Sequence, residues 1–120
     1  PAETDALVNG VDIFATLAEM RGLPHNSPDS ISFLSVMRGM GGQRRYNYSE
    51  SFKPNPDTSD RIWAICDKRY KLTNTGLASQ TVPAIKLFSM PEETFIPEAS
   101  YTPRDQEAHG RLLSKLPFGS

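Results

Sequence analysis

The chain has 120 residues, of which 38% are hydrophobic and 22% are charged, and its formal net charge is −1. These values are typical of a small globular protein with a modest core, and no predicted element gathers Lys and Arg into the stripe that nucleic-acid binding requires. No apolar run approaches the roughly 18 residues that span a bilayer. We therefore expect neither nucleic acid nor a membrane as a partner.

The first predicted element is a helix over residues 12–21. Its apolar residues recur at the i, i+4, i+7 spacing of one helix face: Ile13, Leu17 and Met20. Asp12 is placed to cap the first backbone amides, and Gly22 to end the helix in the left-handed conformation. A second, shorter helix is predicted over residues 33–38.

Four short segments then change to the composition of β-strands, rich in β-branched and aromatic residues: 45–50, 61–66, 69–73 and 85–89. Asp67 and Lys68 fit a tight hairpin between the second and third strands. Thr102, Pro103 and Asp105 predict a capped C-terminal helix. Together these elements predict an α+β fold, in which a small four-stranded antiparallel sheet packs with helices. We expect a helical segment over residues 1–40 and a sheet-and-helix domain over residues 41–120.

Five short motifs in chain order resemble the C-terminal region of sulfatases of the alkaline phosphatase superfamily. The helix reads VNGVDIFATL over residues 8–17, similar to the family's V-x-x-V-D-[hydrophobic]-x-P-T-L, and Ala15 stands where the family usually has proline. The turn Gly22-Leu23-Pro24 follows, and DSISFLSVMRG over residues 29–39 resembles D-G-x-S-L-x-x-L-L-x-G. The strands RYNYSE, RYKL and LFSM also resemble strands of the family. The resemblance covers about residues 7–93 and rests on the order of the motifs.

The resemblance implies a parent enzyme that hydrolyses sulfuric esters with a formylglycine, made from a C-x-P-S-R motif, beside a divalent metal such as calcium. The chain carries no such motif, so we expect no catalytic, cofactor-binding or metal residue within it. The missing groups are expected N-terminal to Pro1 in the parent, with the helical segment joined to the catalytic domain. The role implied is to brace that domain and to shape one lip of the cleft for a sulfate ester. The resemblance also favours a periplasmic, secreted or lysosomal location.

Several side chains have both a functional and a structural interpretation. Glu50, at a strand end, is the candidate for the substrate lip, against a strand-end cap or a salt bridge. Cys66 lacks the proline and serine of the sulfatase motif and is predicted to be a core thiol. His25 and His109 are candidates for a general base, and Asp57 and Asp60 are candidates for metal ligands. Arg44 and Arg45 could attract an anionic substrate, and Trp63 and Tyr48 could stack on a sugar ring. Each of these residues is instead predicted to be structural or solvated.

Two other functions stay open. The same region of a phosphonate or phosphate monoester hydrolase of the superfamily would differ upstream, in carrying a threonine nucleophile. A stand-alone binding or interaction module is the alternative from another class, with the strands and their aromatics as its contact surface. Because Val8, Val11 and Phe14 are expected to be exposed, we predict that the isolated chain self-associates through them.

Overall fold

The computed structural model describes residues 3–51, 62–74 and 85–117. The chain divides into two compact units, Pro1–Asn47 (unit 1) and Tyr48–Ser120 (unit 2). The described elements, in chain order, are α1 (Asp12–Met20), α2 (Leu34–Met37), β1 (Asn47–Ser51), β2 (Ile62–Cys66), β3 (Tyr70–Asn74), β4 (Ile85–Ser89), β5 (Thr94–Ile96), a 3₁₀ turn (Glu98–Ser100) and α3 (Pro103–Ser114). The predicted α+β class is confirmed.

The sheet has the strand order β1-β2-β3-β4-β5, and the pairs from β2 to β5 are antiparallel. The prediction of four strands is wrong by one, because the described residues contain a fifth strand at the edge. β5 has only three residues, so its sequence is too short to show the alternation that predicts a strand. It forms because the chain reverses after β4, which places Phe95 opposite Phe88 and Ile96 opposite Leu87.

Unit 2 has an apolar core between one face of the sheet and α3. Ile65, Leu72 and Leu87 lie side by side on adjacent strands, and all three are at most 1% exposed. α3 adds buried Ala108 and Leu112 to this core. The single tryptophan, Trp63, is also buried, so its predicted role in sheet packing is confirmed.

The predicted cap of α3 is confirmed, and it also links the helix to the sheet. The Thr102 hydroxyl accepts from the Asp105 N–H at 3.3 Å, and the Asp105 carboxylate accepts from the Thr102 N–H at 2.9 Å. The same carboxylate accepts from the Tyr70 hydroxyl at 3.1 Å. Arg111 of α3 donates to Asp67 at 2.7 Å, in the turn between β2 and β3. These contacts fix the helix on the sheet at both ends.

In unit 1, α1 begins at Asp12 and ends before Gly22 as predicted, but its predicted N-cap is wrong. Gly22 has φ +66°, and the Leu23 N–H donates to the Ala18 carbonyl at 2.8 Å, which is the geometry of a glycine-terminated helix. Asp12 does not cap the helix, since the N-cap position is Val11 and it has no side-chain cap. The carboxylate of Asp12 is directed instead toward other partners in unit 1.

The predicted helical segment over residues 1–40 lies within unit 1, and its packing on a catalytic domain stays a prediction. Asp57 and Asp60 lie outside the described residues. Within residues 3–51, 62–74 and 85–117, none of the helices has both the length and the apolar character needed to cross a membrane.

Candidate functional site

A buried ion pair organises the polar contacts of unit 1. Asp12 is 1% exposed, and its Oδ2 accepts from Arg44 Nε and from the Asn9 N–H, both at 2.8 Å. Its Oδ1 accepts from Arg44 Nη2 and, at 2.9 Å, from the Ile31 N–H. Arg44 also donates to the Asp29 carbonyl at 2.6 Å. The prediction that Arg44 is solvated is therefore wrong: its guanidinium is committed to a buried carboxylate.

Two hydroxyl groups extend this arrangement along the inner side of α1. Ser30 Oγ donates to the Val11 carbonyl at 2.6 Å and accepts from the Ala15 N–H at 3.0 Å. Thr16 Oγ1 accepts from the Phe33 N–H at 3.0 Å. The loop between α1 and α2 is thus fastened to the helix by hydrogen bonds. We call these contacts, together with the Asp12–Arg44 pair, the Asp12 network.

The charge on Asp12 is stabilised by its partners. Burial alone would raise the pKa of Asp12, but the hydrogen bonds from Arg44 and from two backbone amides outweigh it, so the pKa lies below the ordinary value of 3.8. The hydrogen bond to Asp12 raises the pKa of Arg44 in return. The pair therefore stays ionised across the range in which proteins function.

The folded structure of unit 1 should depend on pH through the Asp12 carboxylate. Because the pKa of Asp12 is lower in the folded state, its contribution to the stability of unit 1 is complete above the pKa of the unfolded chain, near 3.8. The contribution is lost as the pH falls through the lower pKa of the folded state. We expect the amide resonances of α1 to keep their dispersion at fixed protein concentration until the pH is below 3.8. In Asp12→Asn the dispersion of α1 should already be lost near neutral pH, so no acid step remains. An unchanged titration of α1 in that variant would contradict the assignment.

The opposite side of α1 carries exposed apolar side chains. Its residues are between 51% and 59% exposed, and we call them the outer face of α1: Val11, Ile13, Phe14, Leu17 and Met20. The buried residues of the same helix are Asp12, Ala15 and Thr16. The usual amphipathic pattern is therefore reversed, with polar groups inward and large apolar groups outward. A helix of this kind indicates a surface that another body covers.

The exposed apolar residues are concentrated in unit 1. Of the eleven large apolar side chains that are strongly exposed in the described residues, only Ile85 and Phe95 belong to unit 2. Val8, predicted to be exposed, is 45% exposed and lines a groove of about 780 Å³ beside α2. Met37 and Met40 line the same groove. Unit 1 is therefore the candidate interaction region of the chain.

The lip candidate, Glu50, is exposed on β1. Its Oε2 accepts from the Tyr48 hydroxyl at 2.7 Å, so the two side chains lie on the same side of the strand. This contact fixes one oxygen of the carboxylate. Arg45, the neighbour of the partly buried Arg44, is exposed.

The remaining candidates are spread over both units. His25 is exposed and stands edge-on to Phe14, with ring centroids 6.0 Å apart, whereas half-buried His109 lies 5.9 Å from the Tyr101 ring. The Cys66 thiol is half-buried rather than fully enclosed. Among the described residues, no group of three or more His, Cys, Asp or Glu side chains is placed to hold a metal ion.

A scan against models of known protein families and a search among curated proteins both find no match for this chain.

Proposed function

We propose that the chain is the C-terminal portion of a sulfatase-family hydrolase, in which it braces the catalytic domain and shapes one lip of the substrate cleft. The reaction of the parent is hydrolysis of a sulfuric ester, with a formylglycine and a divalent metal supplied by the catalytic domain. The reversed amphipathicity of α1 is the observation that carries this proposal. It gives the chain an apolar surface within residues 1–40, the segment that the resemblance joins to the catalytic domain.

The composition of the outer face supports a large apolar partner. Its members are Ile13, Leu17 and Met20 in one stripe, with Val11 and Phe14 beside them. Covering a half-exposed side chain of this size contributes about 1 kcal/mol. The catalytic domain of the same parent enzyme is the partner that the motif order implies.

The Asp12 network supports the resemblance in a second way. Asp12 belongs to the helix motif, and Asp29 and Ser30 begin the second motif of the resemblance. Asp12 and the carbonyl of Asp29 both accept from Arg44, and Ser30 bridges to α1. Residues that look unrelated in the sequence therefore act together to hold the outer face in one orientation.

The lip assignment rests on Glu50. A carboxylate held by a tyrosine hydroxyl on an exposed strand is suited to accept hydrogen bonds from a hydroxylated substrate. Such a group would select among sulfate esters without taking part in the chemistry. Its location on β1 is consistent with this role, because β1 is a terminal strand in the described sheet order.

The chain alone should not hydrolyse aryl sulfates, with or without calcium or magnesium. The nucleophile and the metal ligands belong to the catalytic domain under this proposal, and Cys66 has none of the flanking residues that formylglycine formation needs. The assay compares the purified chain with its Cys66→Ala variant. Turnover that co-purifies with the chain and persists in the variant would contradict the proposal that catalysis lies elsewhere.

A phosphonate or phosphate monoester hydrolase would give the same result in that assay. The full-length parent separates the two possibilities, since a sulfatase prefers the aryl sulfate over the matched aryl phosphate. A stand-alone interaction module would have no such parent.

A further inference from the structure

The two units differ in what holds them together. In the described part of unit 1, the buried apolar residues are Ala15 and Leu34, and the other buried side chains are polar: Asp12, Thr16 and Ser30. Unit 2 buries seven apolar residues: Trp63, Ile65, Leu72, Leu87, Ala108, Leu112 and Leu116. Apolar burial is the main driving force of folding, whereas a hydrogen-bond network adds a small net stability. Unit 2 therefore has a core of its own, and unit 1 has very little.

We infer that unit 1 of the isolated chain is stably ordered only when a second copy covers the outer face of α1. In this assembly the α1 helices of two copies pack antiparallel about a two-fold axis, with Leu17 near the axis. Unit 2 remains folded in the monomer and in the dimer. This inference concerns the chain on its own and holds whichever enzyme the chain belongs to.

In the isolated chain, where the catalytic domain of the proposed parent is absent, a second copy is the occupant that fits the outer face. Its five apolar residues, each about half exposed, offer at most on the order of 500 Å² per copy, so two copies would bury no more than about 1,000 Å², the lower limit of a specific interface. An isologous pair places the same apolar side chains on both sides of the interface. The antiparallel arrangement also opposes the two helix dipoles. The small area predicts a weak dimer, with a dissociation constant of about 10 µM.

Hydrogen exchange of the intact 120-residue chain tests this coupling. The exchange of residues 12–23 is followed from about 1 µM to about 100 µM protein, together with sedimentation. With this dissociation constant, mass action leaves about a fifth of the chains monomeric at the highest concentration, so exchange in this segment should slow about fourfold. Exchange in β3 and α3 should not change with concentration. The monomer should show little protection in α1 at the lowest concentration.

Charged variants identify the surface. Leu17→Glu and Leu17→Lys should each abolish the concentration dependence, because each places like charges near the two-fold axis. An equimolar mixture of the two variants should restore it, since the charges are then opposite. Glu19→Gln, on the same helix and outside the outer face, is the matched control and should behave as the unchanged chain.

Three results would overturn the inference. One is a chain that stays monomeric throughout the concentration range. Another is strong protection of α1 in the dilute monomer, which would show that unit 1 needs no cover. The third is a mixture of the two Leu17 variants that associates no better than either variant alone. Because none of these assays measures hydrolysis, their failure leaves the sulfatase proposal unaffected, and the reverse also holds.

Discussion

Arg44→Ala is expected to abolish the ordered structure of unit 1 while unit 2 stays folded. The substitution leaves the Asp12 carboxylate buried with only the two backbone amides as partners. Removing one member of a buried ion pair costs about 3 kcal/mol or more, because the remaining charge is uncompensated. Unit 1 has few buried apolar side chains to offset this loss. Backbone amide resonances, recorded at a concentration at which unit 1 is ordered, should lose dispersion from α1 to α2 only.

The neighbouring arginine provides the control for this variant. Arg45 is exposed, so Arg45→Ala removes the same charge without uncovering a buried group, and it should change the stability of unit 1 by less than about 0.5 kcal/mol. Equal effects of the two substitutions would show that the charge of this segment matters rather than the Asp12 network. Asp12→Asn should resemble Arg44→Ala more than Arg45→Ala.

Leu112→Ala is expected to lower the free energy of unfolding of unit 2 by about 3 kcal/mol. Leu112 is fully buried on α3, and truncation there removes apolar contacts and leaves a cavity in the core. Trp63 is the only tryptophan of the chain and belongs to unit 2. Its fluorescence during urea unfolding therefore reports this unit without interference from unit 1.

Leu113→Ala is the matched control for the core variant. The residue has the same side chain on the same helix, one position later, and is only half-buried. Its truncation should cost clearly less, about 1 kcal/mol. Similar urea midpoints of unfolding for the two variants would contradict the location of the core between the sheet and α3.

The sequence predicts the helices and strands of this fold better than the tertiary contacts that they make. The spacing of Ile13, Leu17 and Met20 predicts α1, but periodicity alone does not say which side of a helix faces its own unit. The buried side is set by Asp12 and Thr16, whose distant partners lie 17 to 32 residues away in the chain. Such pairings depend on tertiary structure. The same reason explains the error on Arg44, which has the local sequence of an exposed strand edge.

Local signals were sufficient where the contacts are local. Gly22 and Thr102 were identified from neighbouring residues, and the structure places both at helix ends. β5 was missed because three residues carry no periodicity, and its pairing with β4 depends on the preceding turn. For the candidate site, Val11 and Phe14 could be predicted as exposed because they fall in the helical segment that the resemblance joins to a catalytic domain. The Tyr48–Glu50 contact could not be predicted, since it depends on side-chain orientation along β1.

The sequence of the gene upstream of Pro1 tests the central proposal most directly. If the chain is the C-terminal portion of a sulfatase, the same reading frame encodes a C-x-P-S-R motif and Asp and Asn metal ligands before Pro1. A threonine nucleophile in their place would indicate a phosphonate or phosphate monoester hydrolase. An upstream region that encodes no hydrolase domain of this superfamily would contradict the proposal.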